Sequence, residues 1–140
     1  MKVKDIMTKE VEVIHPDDSL KDAAKKMRVR DIGFLPVSEG DQVLGVVTDR
    51  DLILRATAEG ENPNTHVGKE FMTTPVVYCF DDQDVEEAAK LMEEHQIRRL
   101  IVLSRDDKRL AGVVSLGDIA TRGKEKTSAK VLQSVSEPTG

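Results

Sequence analysis

The chain repeats itself, and that limits its fold more than any other feature. Residues 6–37, IMTKEVEVIHPDDSLKDAAKKMRVRDIGFLPV, lie over residues 71–102, FMTTPVVYCFDDQDVEEAAKLMEEHQIRRLIV, at a constant offset of 65. Met7 falls on Met72, Ala23 and Ala24 on Ala88 and Ala89, Met27 on Met92 and Val37 on Val102. Beyond Val102 the offset becomes 67, and LGVVTDRDLI lies over AGVVSLGDIA. The two extra residues fall in the polar stretch SRDDKRL, where an insertion costs little.

Each half carries the same local signals. Val11–Ile14 and Val76–Phe80 are β-branched runs and read as short strands. Leu20, Ala23, Ala24 and Met27, and then Val85, Ala88, Ala89 and Met92, are spaced for a helix. Ser19 with Asp22 and Asp84 with Glu87 have N-cap spacing. Phe34–Val37 with Val43–Val47, and Leu100–Leu103 with Leu110–Val114, read as hairpins, and second helices begin at Thr48 and Ser115. The fold class is therefore α/β in the broad α+β sense: two β-α-β-β-α units. Three short strands and two helices cannot close a core alone, but two copies can, packed about a pseudo-twofold axis. The boundaries read as repeat 1 at 1–57, a Gly-, Pro- and Asn-containing linker at 58–69, repeat 2 at 70–121, and a polar tail at 122–140 with a short helix around 128–135.

Composition narrows the function. With 39% apolar and 34% charged residues, the chain has enough apolar matter for a core. It has 21 basic against 26 acidic residues and a net charge of −5, no Trp, one Tyr and three Phe. Neither phosphate neutralisation nor a base-stacking platform is indicated, so no nucleic acid is expected. No run is long and apolar enough for a membrane span, the start lacks a secretory h-region, and Cys79 has no partner cysteine. A cytoplasmic location is the expectation. His15, His66 and His95 have no neighbouring ligand at metal spacing, and no catalytic triad or phosphate-loop signature is present. The expectation is no metal, no required cofactor and no enzyme.

The order strand, A-A-x-x-M helix, hairpin, then G-V-V-[ST]-x-x-D-[LI] resembles the cystathionine-β-synthase (CBS) domain, present as a tandem pair called a Bateman module. The pieces that carry the likeness are LGVVTDRDL (44–52), AGVVSLGDI (111–119) and HQIRRLIV (95–102). The resemblance covers about residues 3–121. It implies two repeats packed through their sheets, with clefts between them for an adenosine-containing ligand such as AMP, ADP, ATP or S-adenosylmethionine. It also implies a regulatory role, a homodimer and an effector protein partner. It resembles the small stand-alone pairs of bacteria and archaea.

Particular residues then become candidates. Thr48 with Asp51 and Ser115 with Asp118 form capping boxes by spacing; in the family the hydroxyl meets phosphate and the Asp meets ribose. Arg98 and Arg99 stand where helix gives way to strand. Alternation of strand side chains points one of the pair inward or into a cleft, where it needs an anion; related pairs use basic residues here for phosphates. The first repeat has Gly33 and Phe34 in their place, so the residues favour one good site over two equal ones. Arg50, in the Thr48 loop, is a further phosphate candidate. Backbone at Thr74, Pro75 and Val76, and at Lys9, Glu10 and Val11, is where the family contacts the base, with Val11 and Val76 covering its face. The competing reading is a ligand-free dimeric scaffold or interaction module whose caps are only caps.

Overall fold

The computed structural model describes residues 1–67 and 71–122. The expected helix near 128–135 lies outside the described residues. The elements follow the chain as α1 (Leu20–Arg30), β1 (Phe34–Glu39), β2 (Gln42–Thr48), α2 (Asp49–Asp51), β3 (Tyr78–Phe80), α3 (Val85–His95), β4 (Arg99–Leu103), β5 (Leu110–Ser115) and α4 (Leu116–Arg122). A turn of π-helix, Leu52–Thr57, continues α2, and a 3₁₀ turn, Val3–Asp5, opens the chain. The α+β class is as the sequence indicated.

Both hairpins are present and their registers match. Phe34 pairs with Thr48 and Val37 with Gly45; Arg99 pairs with Ser115 and Val102 with Gly112. Each carries a bulge just after Val37 or Val102, the same place in the duplication. The first strands differ. In the second half β3 pairs with β4 in parallel, from Tyr78↔Ile101 to Phe80↔Leu103. In the first half, residues 11–14 do not form the expected strand and leave one bridge, Ile14↔Val37. Pro36 supplies the reason. Ile14 donates to the Pro36 carbonyl (3.0 Å) and accepts from Ser38 N–H (2.9 Å). One step back along a parallel ladder, residue 12 would need the N–H of Pro36, and proline has none. The matching residue of the second half, Ile101, keeps its donor.

The chain folds into two compact units whose boundaries do not coincide with the repeats. One comprises Glu12–Val76; the other joins Met1–Val11 to Val77 and beyond. The first unit packs Ile14, Leu20, Ala23, Met27, Leu35, Val37, Val47 and Ala56 with Val67 and Phe71 from the start of repeat 2. The second packs Cys79, Val85, Ala88, Ala89, Met92, Leu100, Val102, Val114 and Ile119 with Val3, Ile6 and Met7 from the start of repeat 1. Each hairpin is thus completed by the leading segment of the other repeat. Thr8 exchanges backbone hydrogen bonds with Val113 (2.8 and 3.0 Å), and Thr73 with Val46 (2.7 and 3.1 Å). Gly45 and Gly112 allow this approach. A β-carbon at Gly112 would sit 2.5 Å from the Thr8 carbonyl oxygen, and one at Gly45 would sit 2.8 Å from Met72 Sδ.

The helices follow their apolar stripes, with one exception. Leu20, Ala23 and Met27 are buried, whereas Ala24 is exposed; its counterpart Ala89 is buried. The two caps also differ. Ser19 Oγ accepts from Asp22 N–H (3.0 Å) and Asp22 accepts from Ser19 N–H (3.3 Å), a complete capping box. Asp84 makes no side-chain cap bond: its carboxylate pairs with Lys2 (3.3 Å), and Glu87 takes the Gln83 amide instead. Both helices end on a left-handed residue, Asp31 and Gln96, at equivalent positions.

Candidate functional site

The duplicated G-V-V-[ST] strands each run into a helix whose first turn is closed by a capping box. In the second repeat, Ser115 Oγ accepts from Asp118 N–H (3.0 Å) and Asp118 Oδ2 accepts from Ser115 N–H (2.9 Å). In the first, Thr48 Oγ1 accepts from Asp51 N–H (3.1 Å) and Asp51 Oδ2 accepts from Thr48 N–H (3.0 Å). The spacing read from sequence therefore gives the cap geometry in both repeats. A capped carboxylate still has a second oxygen. For Asp51 it is taken: Oδ1 faces Arg55 Nε at 3.7 Å, while Thr73 adds a hydroxyl donor to Oδ2 at 3.4 Å. For Asp118, Oδ1 has no hydrogen bond or ion pair among the described residues. Asp118 is half-buried, so that oxygen remains an acceptor for a donor from outside.

What stands beside each cap differs more. Arg99 is the direct cross-strand partner of Ser115, and the Arg98 carbonyl accepts from Leu116 N–H (2.8 Å). The two arginines are thus held against the start of α4. Both are exposed. Alternation along a strand pointed one of them inward; but Arg98 lies before β4, and burial begins at Leu100. In the first repeat the Gly33 carbonyl accepts from Asp49 N–H (3.0 Å). The Asp49 carboxylate lies over Gly33, 2.7 Å from where a β-carbon would stand, and Oδ1 also accepts from Arg50 N–H (2.8 Å). Leu116, which is buried, is the counterpart of Asp49. One cap therefore has two arginines and a leucine; the other has a glycine, a phenylalanine and an extra carboxylate. Arg50 is exposed in that second setting. Asp49, Arg55 and Thr73 are residues that motif reading passed over. The signal for Thr73 was present in the repeated Met-Thr pair at 7–8 and 72–73.

The base-contact candidates fall into the same two groups. Val11 ends the segment whose Thr8 is pinned to Val113, and so belongs with Arg98, Arg99, Ser115 and Asp118. Thr74, Pro75 and Val76 follow Thr73, which is pinned to Val46, and belong with Thr48, Arg50 and Asp51. Val11 and Val76 are half-buried, while Thr74 and Pro75 are exposed and joined by a cis peptide.

Other reactive groups are poorly placed for chemistry. Cys79 is buried in β3, and burial, with Asp81 and Glu87 nearby, pushes its thiol up to about 12. Arg105 makes a two-pronged salt bridge to Asp82 (2.7 and 2.8 Å) and covers the Phe80 ring. The Arg105 hydrogen bond holds the Asp82 carboxyl below the usual carboxylate range. Among the described residues, no group of three His, Cys, Asp or Glu side chains is placed to hold a metal ion. No helix there is long and apolar enough to cross a membrane.

Comparison with known proteins adds the lineage of this architecture. The CBS domain family model matches twice, at residues 3–57 and 67–125. The chain belongs to the CBS domain family, as a tandem pair. Among its relatives is the CBS domain-containing protein YhcV of Bacillus subtilis, 39% identical over 127 residues, which span 91% of this chain and 89% of that one. The crystal structure of Hypoxic Response Protein I with two coordinated zinc ions is 36% identical, with a TM-score of 0.79, covering 87% of this chain and 98% of that one. The CBS domain pair of protein MJ0100, crystallised with 5′-methylthioadenosine and S-adenosylmethionine, is 29% identical, with a TM-score of 0.74, covering 86% and 93%.

Proposed function

We propose that this CBS pair is a non-enzymatic regulatory module that binds an adenosine-containing ligand: AMP, ADP, ATP or S-adenosylmethionine. It works in the cytoplasm as a homodimer whose geometry reports the ligand to an effector protein. The observation that carries this is the unclaimed Oδ1 of Asp118, in a cap flanked across the strand by Arg99. Asp118 accepts from the ribose hydroxyls, Ser115 and the start of α4 meet phosphate or carboxylate, and Arg98 and Arg99 neutralise it. Val11 covers the base, with aliphatic side chains in place of aromatic ones. The MJ0100 pair, bound to two adenosine derivatives, supports the ligand class. The Thr48 cap is the weaker binder, because Asp51 is engaged by Arg55 and Asp49 stands where the second repeat has leucine. Thr48, Arg50, Asp51, Thr74, Pro75 and Val76 make up that lesser group.

A ligand that binds only the folded state raises the melting temperature by mass action. The test is a thermal-shift series with AMP, ADP, ATP, S-adenosylmethionine and NAD on the wild type, Arg99→Ala and Asp118→Asn. At least one ligand shifts the wild type, and both variants lose that shift. Silence of every ligand at millimolar concentration rejects the sensor. One observation favours a second reading, a ligand-free scaffold: both boxes are complete without any ligand. Under that reading the variants change stability and nothing else.

A further inference from the structure

We propose that Arg55 is a gate on the first repeat's cap: its guanidinium holds, on Asp51, the acceptor that Asp118 leaves open, and a ligand reaches Asp51 only by displacing it. This deepens the ligand reading above and rests on it. The same arginine is present in both repeats. At the offset of 67 that lays Asp51 over Asp118, Arg55 falls on Arg122, four residues past the aspartate each time. Residues four apart on a helix are neighbours, so each arginine is within reach of its own carboxylate. Only one of them takes it.

In the first unit, Arg55 Nε stands 3.7 Å from Asp51 Oδ1, and Arg55 Nη1 donates to the Met72 carbonyl (3.3 Å). In the second unit, Arg122 Nη1 donates to the Ile6 carbonyl (3.4 Å), one residue earlier in the matching segment, and makes no ion pair with Asp118 among the described residues. The grip on a leading-segment carbonyl is thus common to both arginines, and the carboxylate contact is not. Helix type accounts for the difference. Arg55 lies in the π turn Leu52–Thr57, where Ala58 N–H reaches back five residues to the Ile53 carbonyl (2.9 Å), whereas Arg122 closes the regular α4. A π turn takes more residues per revolution than an α turn, so residue 55 stands at a different angle to residue 51 than residue 122 does to residue 118.

The contact is of a kind that opens. The Asp51 side chain is 13% exposed and that of Arg55 is 48% exposed, so the guanidinium lies on the solvent side of the carboxylate, where a ligand hydroxyl also has to arrive. An ion pair with so exposed a member is weak, and a hydroxyl donating to Oδ1 replaces it. Displaced, Arg55 keeps the Met72 carbonyl, which is the arrangement that Arg122 already holds. The gate also reaches the leading segment: Thr73, next to Met72, donates to Asp51 Oδ2 (3.4 Å) and is bonded to Val46. The first repeat therefore fills after the second, at higher ligand concentration.

The test follows backbone amide and arginine Nε–H chemical shifts of the labelled full chain, titrated with AMP and with S-adenosylmethionine, in the wild type, Arg55→Met and Arg122→Met. Methionine keeps an aliphatic stem and drops the charge. In the wild type, the 48–51 amides and the Arg55 Nε–H signal follow one curve, weaker than that of 115–118. Arg55→Met tightens the 48–51 curve by about fivefold, the upper end for a pair of this exposure, and leaves that of 115–118 alone, which also shows that the variant is folded. Arg122→Met, which cuts only a carbonyl grip, leaves both affinities as they are. A 48–51 curve that Arg55→Met fails to tighten, or an Arg55 Nε–H signal that stays still while 48–51 move, overturns the gate and leaves the ligand reading standing. Equal tightening at 115–118 in Arg122→Met overturns it too, because loss of the carbonyl grip would then be the cause. If nothing moves in any of the three proteins at millimolar ligand, the ligand reading falls and the gate with it.

Discussion

Replacing Gly112 by alanine tests the exchange of leading segments between repeats, because the clash is with backbone. The new β-carbon would lie 2.5 Å from the Thr8 carbonyl oxygen and 3.0 Å from Met7 Sδ. Methionine can swing aside; the carbonyl cannot, since Thr8 and Val113 hold each other by two hydrogen bonds. Two responses are open. The hairpin can absorb the overlap, at about 1–3 kcal/mol of overpacking strain. Otherwise the Thr8 segment lifts, giving up two hydrogen bonds at about 1 kcal/mol each, and partly uncovers Met7. The cost is about 1–3 kcal/mol by the first route and about 2 kcal/mol or more by the second. Gly45→Ala is milder: its nearest contact, at 2.8 Å, is the flexible Met72 Sδ, and the Thr73 carbonyl is 3.0 Å away. Hydrogen exchange reads this locally. In Gly112→Ala the Thr8 and Val113 amides exchange about thirtyfold faster, following the factor of ten per about 1.4 kcal/mol. In Gly45→Ala the Thr73 and Val46 amides change about tenfold or less. Unchanged protection of Thr8 in Gly112→Ala, or a larger effect from Gly45→Ala, would refute the reasoning.

Three further outcomes follow from the site and the core. Ser115→Ala removes one capping bond and lowers the stability of the ligand-free chain by about 1 kcal/mol in urea titration. Gly33→Arg combined with Asp49→Leu gives the first repeat an arginine and a leucine beside its cap, nearer the pattern of the second, and calorimetry with AMP then reports two sites per chain in place of one. A stoichiometry of two in the wild type would contradict the asymmetry. Cys79, neutral in the fold up to about 12, favours the folded state fully below its ordinary value of 9.0; that contribution declines as pH rises from there and is gone by about 12. Stability of the wild type therefore falls above pH 9 more steeply than that of Cys79→Ala, and native Cys79 resists alkylation at pH 8.

The parts of this molecule that were legible in sequence are those where local chemistry and periodicity agree. The hairpins, the helices at Leu20 and Val85 and the two Ser/Thr-x-x-Asp caps all depend on residues close in the chain. What was not legible depends on a partner elsewhere. Residues 11–14 have strand-forming side chains but face Pro36, which cannot donate. Asp84 looks like a cap, but Lys2 claims it. Arg98 and Arg99 looked like an alternating pair, yet the strand starts only at the second of them. The distinction between the two caps rests on Arg55 and Thr73 reaching Asp51, and on Asp49 folding over Gly33. None of these is a motif.

The claim that an adenosine ligand is gripped at the Ser115–Asp118 cap is tested most directly by amide chemical shifts. Titration of the labelled chain with AMP and with S-adenosylmethionine should move residues 98–99, 115–118 and 9–11 together along one binding curve. Residues 48–51 should move little. Shifts centred on 48–51, or none anywhere at millimolar ligand, would contradict the account.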